Sequence, residues 1–480
     1  MKMVNFYRIL LFSALVSSLF LTSCKDDETP VPSEFPLAKA YDYKVYKAWN
    51  EKYMQLDRHA SGNRPGPGPR ALAYMGLSAY EAVVPGMPEN NSLGQYFPGL
   101  NLPDAETNVE YYWPACVNES YAFLMKQFFP QMADAYPDLY NSIETTRNQL
   151  HQQYAAETSP EVLARSESFG RAVAEAVYAW EQSDAAGHNA FYNPQPAAYQ
   201  PPQGPGLWQP TWPDFSAAVY PYWGDVRCFA MRYDDLLAKA PIPYSEQVNS
   251  PFYTQAMETY NIVNNITSNG PGAYDAQWRA EFWSDDLMNL TFGPPTRLAA
   301  IATQVVEIEN TDLATCAELY AKLGMAMSDA GVAIWKSKYY YNVERPISYI
   351  RRVIAQQYPE AANWQSLLDN PLTGVSGITP AFPAYPSGHS GFGGAGGKIL
   401  SSFFEYNAEH PGTYSFTDLC HKDRFEFLGT PRSFSSFKEL ADEDAYSRIP
   451  LGVHFRMDCE EGVRLGELSA QRVLSLPWKK

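Results

Sequence analysis

Apolar residues in this chain return at three- and four-residue intervals over long stretches, and nowhere do apolar and polar positions alternate for long. The first pattern is one face of a 3.6-residue helix; the second is what a half-buried strand requires. An all-α fold of helical bundles is therefore expected. Between Pro160 and Ser183 the apolar face is Phe169, Val173, Val177 and Trp180. Thr311-Asp312 can cap a second helix, with Leu313, Cys316, Leu319, Leu323 and Met327 on one face, continuing through Trp335 and Lys338. A third follows His454 and carries Val463, Leu465, Leu468 and Val473 on its core side. Pro and Gly cluster in Gly62 to Pro69 and in Asn193 to Trp212, which read as long ordered loops. Pro294-Pro295, after Phe292-Gly293, marks a helix start. No internal repeat is evident. A chain of 480 residues with 45% apolar content can bury a large core. Two packed bundles are expected, a helical region over 41–310 and a second over 311–480 that carries the chemistry.

A formal charge of −17 argues against nucleic acid as a partner, since a phosphate backbone needs a basic footprint. The 34 Tyr and 11 Trp read as packing between helices in preference to a carbohydrate-binding wall. The N-terminus has cationic Lys2 and Arg8, an apolar run from Ile9 to Leu21, then Leu21-Thr22-Ser23-Cys24. This describes a secretory signal over 1–23, too short and poorly flanked to span a membrane. Its end resembles the lipobox of bacterial lipoproteins, which implies acylation of Cys24, a tether over 24–40, and an envelope lipoprotein held to the outer membrane through lipid alone. Lys25-Asp26-Asp27 resembles an export signal of surface-displayed lipoproteins. Cys116, Cys228, Cys316, Cys420 and Cys459 are odd in number and widely spaced; they match no metal-site template and read as structural.

Three stretches carry the chemistry. Lys338 precedes Arg345-Pro346; Pro386-Ser387-Gly388-His389 follows; Ser447-Arg448 leads to His454 and Asp458. Three permanent cations, two imidazoles, a hydroxyl and a glycine amide suit a compact tetrahedral oxyanion that must be held, neutralised and attacked. Lys338 and Arg345, two helical turns apart, can project from one face, with Pro346 ending or kinking that helix. Ser387 suits a helix entrance whose free amides seat an anion, and Gly388 lets the backbone approach closely. The small-residue run Ser390 to Gly397 suits a helix pressed against its neighbours. His389 is placed as acid or base, and His454 as nucleophile or ligand, with Asp458 fixing its tautomer. Asp285 or Asp286 is a candidate brace for Arg448. His59, His151, His188, His410 and His421 read as surface or satisfied-core residues.

The ordered set Lys338-x6-Arg345-Pro346, Pro386-Ser387-Gly388-His389 and Ser447-Arg448-x5-His454-x3-Asp458 resembles the signature of the vanadium haloperoxidase and type 2 phosphatidic acid phosphatase superfamily. Weaker similarity to bacterial vanadium haloperoxidases extends upstream, through Arg70-Ala71-Leu72, Tyr80 to Val83, Trp208 to Trp223-Gly224, Phe282 to Asp285 and Gly293 to Pro295. The resemblance implies that Lys338, Arg345, Ser387, Gly388 and Arg448 hold the equatorial oxygens of a vanadate cofactor. It implies an axial bond from His454 to the metal and acid–base work by His389. Lys338 would polarise hydrogen peroxide, and a halide would be oxidised to hypohalous acid. Trp335 and Phe382 resemble the halide-side residues of chloroperoxidase-type members. In a soluble phosphatase with the same pocket and no cofactor, His454 would form a phosphohistidine on a phosphate ester and His389 would protonate the leaving alcohol. A third reading, a non-catalytic glycan-binding surface lipoprotein, has no use for such a cluster.

Overall fold

In the computed structural model, residues 35–406 and 411–480 are described. The signal segment, Cys24, most of the tether and His410 lie outside them. The helices in chain order are α1 (Lys44–Asp57), α2 (Pro67–Val83), α3 (Trp113–Phe128), α4 (Met132–Ala135), α5 (Pro137–Tyr154), α6 (Pro160–Gln182) and α7 (Pro251–Thr267). They continue as α8 (Ala273–Phe282), α9 (Pro294–Ile308), α10 (Leu313–Tyr341), α11 (Pro346–Arg352), α12 (Gly388–Phe404), α13 (Phe437–Tyr446) and α14 (Arg456–Leu474). Proline starts many of them. α2, α3, α5, α6, α7, α9 and α11 each hold a proline in their first two positions. There its missing N–H costs nothing and its fixed φ is already helical. That is how a proline-rich chain stays helical.

Among the described residues the only sheet is a pair of three-residue strands, β1 (Phe416–Asp418) and β2 (Arg432–Phe434), antiparallel. Strands this short carry no readable alternation. The expected loop at Gly62 to Pro69 is shorter than the composition suggests, because Pro67 and Pro69 open α2. The expected cap at Asp312 is present: its side chain accepts from the Thr315 N–H at 3.0 Å. α10 is almost wholly buried, packed on α2 along one side and on α12 and α14 along the other. Trp49, Trp208, Trp283, Trp335, Tyr46, Tyr53, Tyr74 and Tyr80 are among the largest fully buried side chains, so much of the aromatic content is core. No described helix is long and apolar enough to cross a membrane. The five cysteines are all free thiols.

α12 and α14 cross at glycine. A Cβ on Gly466 would sit 2.0 Å from the Gly391 carbonyl oxygen, and one on Gly394 would sit 2.7 Å from that of Val463. This contact brings the start of α12, with Ser387 to His389, beside the start of α14, with His454 to Asp458.

Candidate active site

Lys338 and Arg345 do not share a helix face. α10 ends at Tyr341 because Asn342 takes left-handed dihedrals (φ 50, ψ 39), and Arg345 is the N-cap of α11, which Pro346 begins. Pro346 thus starts a helix where the sequence suggested that it ends one. Its lack of an N–H forbids a helix interior and suits a first turn. The two cations still converge, from opposite sides of the break.

Each cation is anchored by part of its donor set. Lys338 Nζ donates to the Pro383 and Ala384 carbonyls at 2.8 and 2.9 Å, leaving one of its hydrogens. Arg345 donates from Nε to the Phe382 carbonyl and from Nη1 to that of Val453, both at 2.9 Å. Arg448 donates from Nη2 to Asp286 Oδ2 at 2.6 Å. This selects Asp286 over Asp285 as the brace. Asp285 instead pairs with His421 at 2.9 Å and lies 3.6 Å from Arg297, which makes His421 a satisfied core histidine.

What remains is a ring of unpaired polar groups. Arg345 Nη2, Arg448 Nε and Nη1, and His389 Nε2 are buried with no hydrogen-bond partner among the described residues. Orphaned donors on buried guanidinium groups are costly, about 1–3 kcal/mol each or more, unless an anion accepts from them. Ser387 caps α12, accepting from the Ser390 N–H at 3.3 Å, so its own hydroxyl hydrogen stays available. Gly388 follows at the first position, where the helix leaves its amide unpaired and its dipole end positive.

Between Arg448 and His454, Gly452 turns the chain at φ +84, a value that favours glycine, and so aims the two side chains independently. His454 Nδ1 lies 2.9 Å from Asp458 Oδ2, which also accepts from the Phe455 N–H. That contact puts the proton on Nδ1 and the lone pair on Nε2, which sits 3.1 Å from Arg345 Nη1.

The electrostatics follow from burial of like charges. Burial and the Arg345 charge push the Lys338 ammonium well below its ordinary range. Burial also lowers the Arg345 guanidinium to about 9. Burial and Arg448 hold His389 down at about 4, and burial with Arg345 and Lys338 holds His454 well below 6.5. Burial raises Asp458 to about 7. Asp286 is the exception: burial would raise it, but Arg448 and His389 outweigh that and lower it. A pocket in which bases are this reluctant to take protons is short of negative charge. An oxyanion restores the balance, and the donor set fits vanadate or phosphate alike.

The cluster opens into a cavity of about 200 Å³ lined by His389, His454, Arg448, Trp335, Phe382 and Phe392 among others. Trp335 and Phe382 lie ring to ring at 5.0 Å, and Lys338 Nζ sits 5.0 Å from the Phe382 centroid. Lys338, Arg345, Ser387, Gly388, His389, Arg448, His454 and Asp458, together with Trp335 and Phe382, are thus gathered at one place. Sequence reasoning missed Arg64, Leu287, Ile378 and Phe392 on the cavity wall. They come from separate segments with no local pattern to flag them.

A family profile described as the VCPO second helical-bundle domain matches residues 318–477. Among solved structures, the first bacterial vanadium-dependent iodoperoxidase superposes with a TM-score of 0.75 at 27% identity, covering 90% of this chain and 96% of that one. A bacterial vanadium-dependent chloroperoxidase matches in its holo form with a TM-score of 0.57 at 15% identity, covering 85% of this chain and 92% of that one. Its apo form matches at 0.56 and 14%, covering 85% and 93%; identities this low speak for the fold alone. No curated protein matches. Profile, fold and convergent donor cluster agree in supporting the superfamily of vanadium haloperoxidases and type 2 phosphatidic acid phosphatases.

Proposed function

We propose that this protein is a vanadium-dependent haloperoxidase, which uses hydrogen peroxide to oxidise a halide to hypohalous acid. The observation that carries the reading is the ring of unpartnered buried polar groups around the His454 lone pair, in a chain similar over nearly its whole length to an iodoperoxidase. Lys338, Arg345, Arg448, Ser387 and Gly388 would hold vanadate through its oxygens, and His454 Nε2 would bond the metal. When bound, vanadate supplies a Lewis-acid centre that activates peroxide for two-electron transfer from halide.

The protein's own residues do the rest. Asp458 keeps the proton on His454 Nδ1, so that Nε2 remains a donor to the metal. His389 Nε2, neutral in this pocket and 3.9 Å from Asp286, can take a proton from incoming peroxide and return it to the departing oxygen. Lys338, pinned by two carbonyls, has one N–H left, which would donate to an oxygen of the bound group and polarise it. Trp335 and Phe382 give the halide a dry, polarisable wall beside that ammonium.

The test offers purified, vanadate-loaded protein iodide, bromide and chloride in turn with peroxide, while a vanadate-free sample receives an aryl phosphate. Vanadate-dependent halide oxidation is expected, with iodide first to be tried because it is the halide in the neighbour's name. Ester hydrolysis without any halide oxidation would replace this reading with that of a phosphomonoesterase acting through the same residues.

A further inference from the structure

Arg64 is a second guanidinium, besides Arg448, on the wall of the cavity that holds His389 and His454, and it belongs to none of the three motifs. Its side chain is only 11% exposed. One end of the fork is committed: Nη2 donates to the Asp57 carbonyl at 3.2 Å and to the Thr291 carbonyl. The Asp57 carboxylate lies 3.7 Å from Nη2 and is itself occupied, since its Oδ2 accepts from the Gly293 N–H at 2.6 Å. The remaining N–H groups, on either side of the fork, are unpaired. Nε and Nη1 are buried without a partner among the described residues, the same condition that marks Arg345 and Arg448 as anion ligands. The wall also carries Asp285 and Asp286, which are taken up by His421 and Arg448, and is otherwise largely apolar, with Val219, Leu287, Leu368, Ile378, Pro380 and Phe392.

We propose that Arg64 is a second anion-binding point in this cavity, distinct from the oxyanion cluster, and that it takes an apolar organic acid by its carboxylate. A carboxylate oxygen would accept from one of the unpaired N–H groups beside the positive charge, and a hydrocarbon or aromatic body would be buried against the apolar wall. A bare halide could use the charge but has no use for that wall.

That such an acid receives the halogen rests on the haloperoxidase reading; that it binds at Arg64 does not. In the halogenation of an aromatic acid, a ring carbon takes halogen from hypohalous acid. The C–halogen bond forms, the O–halogen bond breaks, and the ring proton leaves with the hydroxide as water.

The probe is benzoate, with benzyl alcohol as its uncharged counterpart and sodium iodide as a competing monoanion. Binding to the full chain is read by calorimetry, with and without saturating vanadate. Benzoate is expected to bind equally in both conditions, about tenfold or more tighter than benzyl alcohol. Arg64→Gln is expected to weaken benzoate by a similar factor while vanadate still binds. Displacement of benzoate by vanadate would place it on the oxyanion cluster and overturn the proposal. So would unchanged benzoate binding in Arg64→Gln, or displacement of benzoate by iodide at equal or lower concentration. Should Arg64→Gln fail to fold, Arg64→Lys keeps the charge and is expected to retain most of the benzoate affinity, and the wild-type competitions decide by themselves. If benzoate binds as expected but halide oxidation is absent, the haloperoxidase reading falls and the Arg64 site stands.

Discussion

His454 and Asp458 form the pair on which the proposed chemistry turns. Asp458 Oδ2 holds both the imidazole and the Phe455 amide, so its loss frees the ring as well as its tautomer. Asp458→Asn is expected to lower vanadate affinity or vanadate-dependent turnover by about 10–100-fold, as second-layer partners of metal ligands do, measured by steady-state halide oxidation across a vanadate titration. His454→Ala is expected to abolish turnover. His389 gives a pH signature without any assay of activity. Its proton affinity is lowered from the ordinary 6.5 to about 4. The unfolded chain therefore binds more protons than the folded one in that window, and folding stability is complete above it and lost as pH falls through it. Between pH 7 and pH 5 the His389 contribution falls by about 2 kcal/mol. Asp458, raised to about 7, works the opposite way, because the folded state holds its proton and loses stability as pH rises. Urea unfolding of His389→Gln at the two pH values is expected to show a smaller loss at pH 5 than the wild type. That these residues converge was legible because their types and order leave few alternatives. Arg64 was not, since a single arginine between glycines and prolines carries no periodicity and no partner nearby in sequence.

Helix contacts set the distance between the imidazoles. α12 and α14 meet where Gly391 and Gly466 let the backbones touch, and Gly462 approaches the Ser387 carbonyl in the same way. A Cβ at Gly466 has backbone on every near side and nothing flexible to push aside. Gly466→Ala is expected to cost about 1–3 kcal/mol or more by overpacking and to pull His389 away from His454. A lowered thermal midpoint together with weakened vanadate binding would show both effects. The Gly-rich half of this contact, Ser390 to Gly397, was readable as close packing. The other half was not, because Gly462 and Gly466 sit inside an ordinary amphipathic pattern. The break at Asn342 was hidden for a related reason: no glycine or proline stands between Gly331 and Pro346, and only the left-handed dihedral of one asparagine stops the helix.

The whole molecule supplies the site from far more than its last third. Asp286, which braces Arg448, follows α8, and Arg64 precedes α2. α2 is locked along α10, whose end presents Trp335 and Lys338. Asp329, in the middle of α10, accepts three backbone N–H groups from Phe229, Ala230 and Met231, holding the long aromatic-rich segment against the bundle. Such long-range ties cannot be read from local pattern, whereas the helical class could, since it rests on periodicity alone. An anion that relieves so many buried donors should stabilise the entire fold. Vanadate at about a hundredfold excess over its dissociation constant is expected to add roughly 2.7 kcal/mol, read as a raised thermal midpoint. Beyond the described residues, acylation at Cys24 is expected to place the protein on a membrane surface. Incorporation of labelled palmitate that is lost in Cys24→Ala would support this.

X-ray absorption at the vanadium edge of vanadate-loaded protein probes the metal's own ligands. We expect a vanadium–nitrogen bond in the wild type that disappears in His454→Ala. A spectrum identical to free vanadate, or one unchanged by that substitution, would contradict the assignment of His454 and the anion pocket built around it.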